Sequence, residues 1–273
     1  MKRQILDFIK GRAWLFDAAR WCYDVWDELI SYGSDFLMDS GQSQKRVLIF
    51  AQGRTGSTVL ENLLCSTGHF SENGELLNTT FKREVLSPVR YIRGKAKRAK
   101  SGHFVFHVKI YHLTEDRKRA QDPRVFVEAL YKDGWDIVYL QRSNKVEHAL
   151  SNIVALHRGT YHKTSSKSED MRLTVDLPEF KRRVRDRFAI EVQEREVLKG
   201  FEFLEVVYED DLMDSEKHQS TVDRMLDCLS LERREVSTQY RKVNSKSKRD
   251  IISNYNDFLE CVKSEGWSEM LRD

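Results

Sequence analysis

A chain of 273 residues is long enough to bury a substantial core in one α/β domain with an extension. With 33% charged and 40% hydrophobic residues and only 3 prolines, it is excluded from the disordered class. The net charge of +3 does not demand a nucleic-acid partner, and Cys22, Cys65, Cys228 and Cys261 lack the paired spacing of a zinc site or disulfide framework.

That cysteine usage points to a reducing compartment. No apolar run approaches a membrane span, so a cytoplasmic protein without a transmembrane segment is expected. Within residues 5–30, Leu15, Ala18, Ala19, Cys22, Val25, Trp26, Leu29 and Ile30 recur at three- and four-residue intervals, the signature of an amphipathic helix. Its charges balance, and it is expected to pack on the main domain. A homo-oligomer contact or partner docking is the alternative, and a membrane-surface role is the weakest without a basic excess. The polar stretch Asp39–Gln44 reads as a linker, which divides the chain into an extension and linker over 1–44 and a main domain over 45–273.

The domain opens on the apolar run Val47–Ala51, followed by a small-residue turn, Gly53-Arg54-Thr55-Gly56-Ser57-Thr58. Val59, Leu60, Leu63 and Leu64 then repeat at helical spacing, and Ser66-Thr67-Gly68 supplies a stop. A turn between a strand and a helix N-terminus presents unpaired backbone N–H groups backed by the helix dipole, which makes an anion cradle. Arg54 adds a cation, and Thr55, Ser57 and Thr58 add hydroxyls.

Further on lies a basic tract of Lys82, Arg83, Arg90, Arg93, Lys95, Lys97, Arg98 and Lys100, expected to be a solvated face or a grip for an anionic acceptor. Short apolar runs at Phe104–Val108, Ile137–Leu140 and Phe203–Tyr208 suit buried parallel strands. Pro178 and Gly200 bracket a helix that opens on Lys181, Arg182, Arg183, Arg185 and Arg187, most of whose charges are expected to face water. Strand and helix alternate. The fold class is therefore α/β, a central parallel sheet flanked by helices, with ligands beyond the carboxyl ends of the strands.

The anion can be narrowed by charge. A nucleotide triphosphatase loop needs a lysine where this chain has Ser57, and a glycine where it has Ala51. Without that lysine the loop is poorly equipped for a triphosphate with magnesium, although Tyr208-Glu209-Asp210-Asp211 superficially looks like a metal-binding strand end. A phosphosulfate anhydride, with one negative charge on each side of its bridging oxygen, needs less neutralisation and no metal.

Together with Ser71-Glu72-Asn73-Gly74-Glu75-Leu76-Leu77-Asn78, the turn resembles the PAPS-dependent sulfotransferases, nearest to the bacterial nodulation-factor and trehalose (carbohydrate) branch. The resemblance runs from about Arg46 to the carboxyl terminus. It implies a P-loop-like three-layer sandwich in which Gly53–Thr58 binds the 5′-phosphosulfate of PAPS, with Arg54 beside the bridging oxygen. Arg142, after Tyr139-Leu140-Gln141, and Ser151 on the next helix would bind the 3′-phosphate. Arg241 or Lys242 would complete that site in a closing loop, leaving PAP as the product. Glu75 falls where the family places a catalytic glutamate. It is the expected base provided its surroundings raise its proton affinity, with helix capping or an arginine pair as its alternative role.

His107 is the competing base. It shares one side of its strand with Lys109 by side-chain alternation, and Lys109 would stabilise charge on the transferring group. Tyr208-Glu209-Asp210 would be architectural, and Trp267 would anchor the last helix. The implied reaction moves a sulfuryl group from PAPS to a hydroxyl of a carbohydrate, glycolipid or other small acceptor. The alternatives are an ATP-magnesium kinase and a non-catalytic binding module on the same fold.

Overall fold

The computed structural model describes residues 2–39, 44–80, 82–99, 102–158, 172–238 and 247–271. In chain order these form α1 (Lys2–Leu37), β1 (Arg46–Ala51), α2 (Ser57–Ser66), β2 (Phe70–Ser71), α3 (Pro88–Lys97) and β3 (His103–Val108). After these come α4 (Pro123–Lys132), β4 (Asp136–Gln141), α5 (Lys145–Arg158), α6 (Leu177–Leu198), β5 (Leu204–Val207), α7 (His218–Cys228), α8 (Lys248–Ile251) and α9 (Tyr255–Ser264). The five strands form one parallel sheet in the order β2-β3-β1-β4-β5. None of the helices described is long and apolar enough to cross a membrane.

The near-continuous apolar runs are explained by burial on both faces. Side chains alternate across the pleat. Leu48, Phe50, Phe104, Phe106 and Tyr139 join a core with Ile92, Phe126, Leu130 and Trp135, while Val47, Ile49, Val105, Leu140 and Val206 join another with Leu60, Leu64, Val222 and Met225. Helices thus cover the sheet on both faces. A third cluster joins Val146, Leu150 and Val154 of α5 to Phe180 and Val184 of α6, with Ile251, Phe258 and Val262 behind them. Trp267 stands edge-on to Phe180 there, as an anchor should.

The amino-terminal helix docks the opposite way round from the one its apolar spacing suggests. Its contact face is polar. Ser31 is fully buried, and Gly94 of α3 lies so close that a Cβ there would fall 1.8 Å from the Ser31 carbonyl oxygen. Around this crossing Asp27 accepts from Tyr91 at 2.7 Å and pairs with Lys95 at 3.1 Å and Arg98 at 3.0 Å. Glu28 pairs with Arg83 and accepts from the Leu86 amide at 2.7 Å, while Asp35 faces Arg90 at 3.3 Å. Trp21, Trp26, Leu29 and Phe36 point away and are exposed.

Most of the basic tract is therefore engaged by acidic partners within the fold rather than standing as a free solvated face. Arg83, Arg90, Lys95, Lys97 and Arg98 are matched by acids of α1, and Arg93 pairs with Asp133. Lys100 lies outside the described residues. One-dimensional spacing favoured the apolar stripe, but the charge match between two helices decides the packing.

Candidate functional site

β1 lies in the middle of the sheet, with β3 on one side and β4 on the other. The turn after β1 thus sits at the reversal of strand order, where an open α/β sheet forms a crevice. Two left-handed residues shape the turn: Gly56, with φ 93°, and Arg54, with φ 73°. For a non-glycine residue that conformation costs on the order of 1 kcal/mol, and such strain collects at ligand sites. Successive turn amides in such conformations form a concavity suited to an anion.

The turn is braced from both flanks. The Gly53 amide donates to the Tyr111 hydroxyl at 3.1 Å, and the Gly53 carbonyl accepts from His148 Nε2 at 2.6 Å. A Cβ at position 53 would fall 2.6 Å from the Tyr111 hydroxyl, so a larger residue there would have to push that hydroxyl off the turn. Burial, with Arg187 and Arg142 nearby, holds His148 well below the usual histidine range. It is therefore neutral, with its Nε2 proton on the turn. The Thr55 hydroxyl donates back to the Gln52 carbonyl at 2.7 Å. It locks the turn rather than serving the anion, as was expected of it. Ser57 is buried and Thr58 half-buried in the first turn of α2.

Glu75 and Lys109 meet beside this turn. The Glu75 carboxylate pairs with Lys109 Nζ and accepts from Asn78 Nδ2, with His107 Nε2 at 3.3 Å and His112 Nε2 at 3.7 Å. Alternation along β3 does bring His107 and Lys109 to one carboxylate. A Cβ on Gly53 would lie 3.5 Å from Lys109 Nζ, so the ammonium stands between the carboxylate and the turn. A cation from the end of β3 therefore stands beside the turn.

The proton affinity of Glu75 runs against the expectation. Burial works to raise it, but His107 and the Lys109 charge outweigh burial and hold Glu75 well below the ordinary carboxylate range. His107 goes the other way. Burial opposes its charge, yet Glu61 and Glu75, one on each side, hold it above the usual histidine value. Burial and Lys109 bring His112 down to about 3, leaving it neutral.

Glu61 is the site residue that sequence reasoning missed. Fully buried on α2, it takes His107 Nδ1 at 2.7 Å on one oxygen and the Asn73 and Gly74 amides, each at 2.7 Å, on the other. It holds both the segment that carries Glu75 and the imidazole behind it. The available signal was an acid placed among Leu60, Leu63 and Leu64, where only a paired carboxylate survives burial.

At the end of β4, Arg142 is buried and donates through Nε to Glu209 at 3.0 Å, with its guanidinium over the Tyr208 ring at 4.7 Å. Glu209 also accepts from the Ser143 amide and hydroxyl at 2.8 and 3.0 Å and from the Asn144 amide at 3.4 Å. Asp211 accepts from the Val207 amide at 2.8 Å and pairs with Arg224 at 3.0 Å. These acids organise the ends of β4 and β5, and β5 is separated from β1 by β4.

Lys145, also buried, donates to the Arg142 carbonyl at 2.5 Å and pairs with Glu191 at 2.7 Å, tying this end of β4 to α6. Ser151 is half-buried in the second turn of α5. Arg241 and Lys242 lie outside the described residues. No protein-family model matches this chain, and a search of curated proteins finds no match either.

Proposed function

We propose that this protein transfers a sulfuryl group from PAPS to a hydroxyl of a carbohydrate, glycolipid or other small acceptor. The observation that carries the reading is the position of Lys109, paired with Glu75 and beside Gly53 of the turn. A cation between a carboxylate and an anion cradle suits a donor carrying single charges on either side of its bridging oxygen. Turn amides, Arg54 and Lys109 together match that charge. Arg142 and Ser151, at the adjoining strand end and helix, are the donors assigned to the 3′-phosphate.

In this reading the acceptor oxygen attacks sulfur in line, its new S–O bond forming as the S–O bond to the bridging oxygen breaks. The electron pair leaves with PAP. The acceptor proton passes to Glu75. With Lys109 in contact Glu75 is ionised and therefore able to accept, but it is a weak base. Movement of the Lys109 ammonium from Glu75 toward the transferring group would strengthen the base as the hydroxyl proton becomes acidic. His107, whose proton affinity Glu61 and Glu75 raise, stands behind Glu75 at 3.3 Å and positions it.

Incubating the purified protein with radiolabelled PAPS and a panel of hydroxylated acceptors, beside Glu75→Gln, tests the reading. Label should pass to an acceptor with the unsubstituted protein and fall sharply with the variant. Undiminished transfer by Glu75→Gln removes the base assignment. Label transfer from ATP with magnesium, without dependence on a 3′-phosphate, contradicts the reaction class.

A further inference from the structure

A cavity of about 400 Å³ opens between α5 and α6 against Tyr111. Three arginines line it, and they are not equivalent. Arg182 pairs with Glu179 at 2.8 Å and with Asp186 at 2.9 Å, and Arg183 pairs with Glu179 at 2.7 Å and donates to Asn152. Arg187 is only 9% exposed, yet among the described residues no carboxylate forms an ion pair with it. The sequence placed it in a cluster that mostly faces water, but the fold turns this member inward.

Leaving a guanidinium buried without a counter-ion is strongly unfavourable. Burial lowers its proton affinity here, against the charges of Glu194 and of Asp186, which lines the same cavity. A charge kept under those conditions, on the wall of a cavity, is complementary to an anion that arrives from outside. The other walls say what kind. Leu156 and Ile190 offer apolar surface for a carbon skeleton, the one carboxylate on the wall, Asp186, is neutralised by Arg182 at 2.9 Å, and a guanidinium is matched in shape to a carboxylate, sulfate or phosphate.

The cavity is also joined to the turn. Tyr111 forms its wall and holds the Gly53 amide, and the Arg187 carbonyl accepts from Gln52 Nε2 at 3.2 Å. Lys109 Nζ lies 5.7 Å from the Tyr111 ring centre. A molecule anchored at Arg187 is therefore a neighbour of the centre where Glu75, Lys109 and Gly53 meet.

We infer that this cavity is a binding subsite for an organic oxyanion, in which Arg187 takes a carboxylate, sulfate or phosphate group of the acceptor. That the anion belongs to the acceptor rests on the sulfuryl-transfer reading; the anion site itself does not.

The test uses probes of one size: p-nitrobenzoate, p-nitrophenyl sulfate and p-nitrophenyl phosphate, with p-nitrobenzamide as the neutral counterpart. Each is titrated by calorimetry into the full chain and into Arg187→Met and Arg187→Lys, whose folding is checked by thermal unfolding. At least one anion should bind in preference to the amide. It should lose tenfold or more in affinity in Arg187→Met and recover part of it in Arg187→Lys. Equal binding of the amide, unchanged anion affinity in Arg187→Met, or no binding of any anion overturns the inference.

PAP is titrated in parallel. Unchanged PAP affinity in Arg187→Met supports the assignment to the acceptor, whereas a matching loss assigns Arg187 to the donor and overturns it. Failure of the unsubstituted protein to bind PAP counts against the sulfuryl-transfer reading and leaves the anion result standing by itself.

Discussion

Lys109 is ion-paired with Glu75 while its ammonium lies beside Gly53, so one cation from the end of β3 serves both the carboxylate and the turn. Lys109→Met removes the charge from both. Because Lys109 helps to hold Glu75 low, the variant should raise the proton affinity of Glu75. It should also slow sulfuryl transfer by roughly 10²–10³-fold, the usual effect of deleting one preorganised charge-stabilising group. Single-turnover rates with labelled PAPS check this, and Lys109→Arg should keep part of the rate.

Glu61→Leu deprives His107 and the Asn73 and Gly74 amides of one buried acceptor. A loss of about 3–5 kcal/mol is expected from breaking a buried charged pair, measured as a fall in the urea midpoint. Glu61→Gln should be milder in stability, but His107 should then titrate lower, visible in its imidazole proton resonances.

Gly94→Ala should release α1. The added Cβ meets the Ser31 backbone, which cannot rotate aside, and overpacking of this kind costs about 1–3 kcal/mol. Amide exchange along α1 should quicken while the sheet strands keep their protection. Unchanged exchange in α1 would mean that the crossing tolerates the methyl group.

Glu194 should make stability depend on pH. Burial pushes its carboxyl up to about 7 from an ordinary 4.5, against hydrogen bonds from Gln52 and Tyr139. Its folded value exceeds its unfolded one, so its contribution is full below about 4.5 and is lost as pH rises through about 7. Glu194→Gln has no such titration. Relative to the unsubstituted protein it should gain about 1–3 kcal/mol between acidic and mildly alkaline pH, seen in urea midpoints across that range.

Legibility in the sequence followed the range of the interactions. Val47–Ala51 and the apolar runs of β3 and β4 were readable because burial on both faces writes a continuous hydrophobic signal; the glycine turn was readable from its small residues, and the edge strand β5 from a shorter run. Two-residue β2 was not readable, since its pairing with His103 and Phe104 exists only in the sheet. The docking face of α1 was hidden because its partners lie dozens of residues away on α3. Glu61 and Arg187 looked like an ordinary helix acid and one more surface base. What marks them is burial, which one-dimensional spacing does not report. Lys109 was readable by alternation with His107, but its approach to Gly53 was not.

A donor carrying both a 5′-phosphosulfate and a 3′-phosphate needs a site that reads both ends of the nucleotide, and calorimetry with PAP, the desulfated product, measures that directly. PAP should bind at least tenfold more tightly than adenosine 5′-monophosphate, the scale of one charge-assisted contact, and Arg142→Ala should erase that difference. Equal affinity for the two nucleotides, or no binding of PAP, would rule out PAPS as the donor.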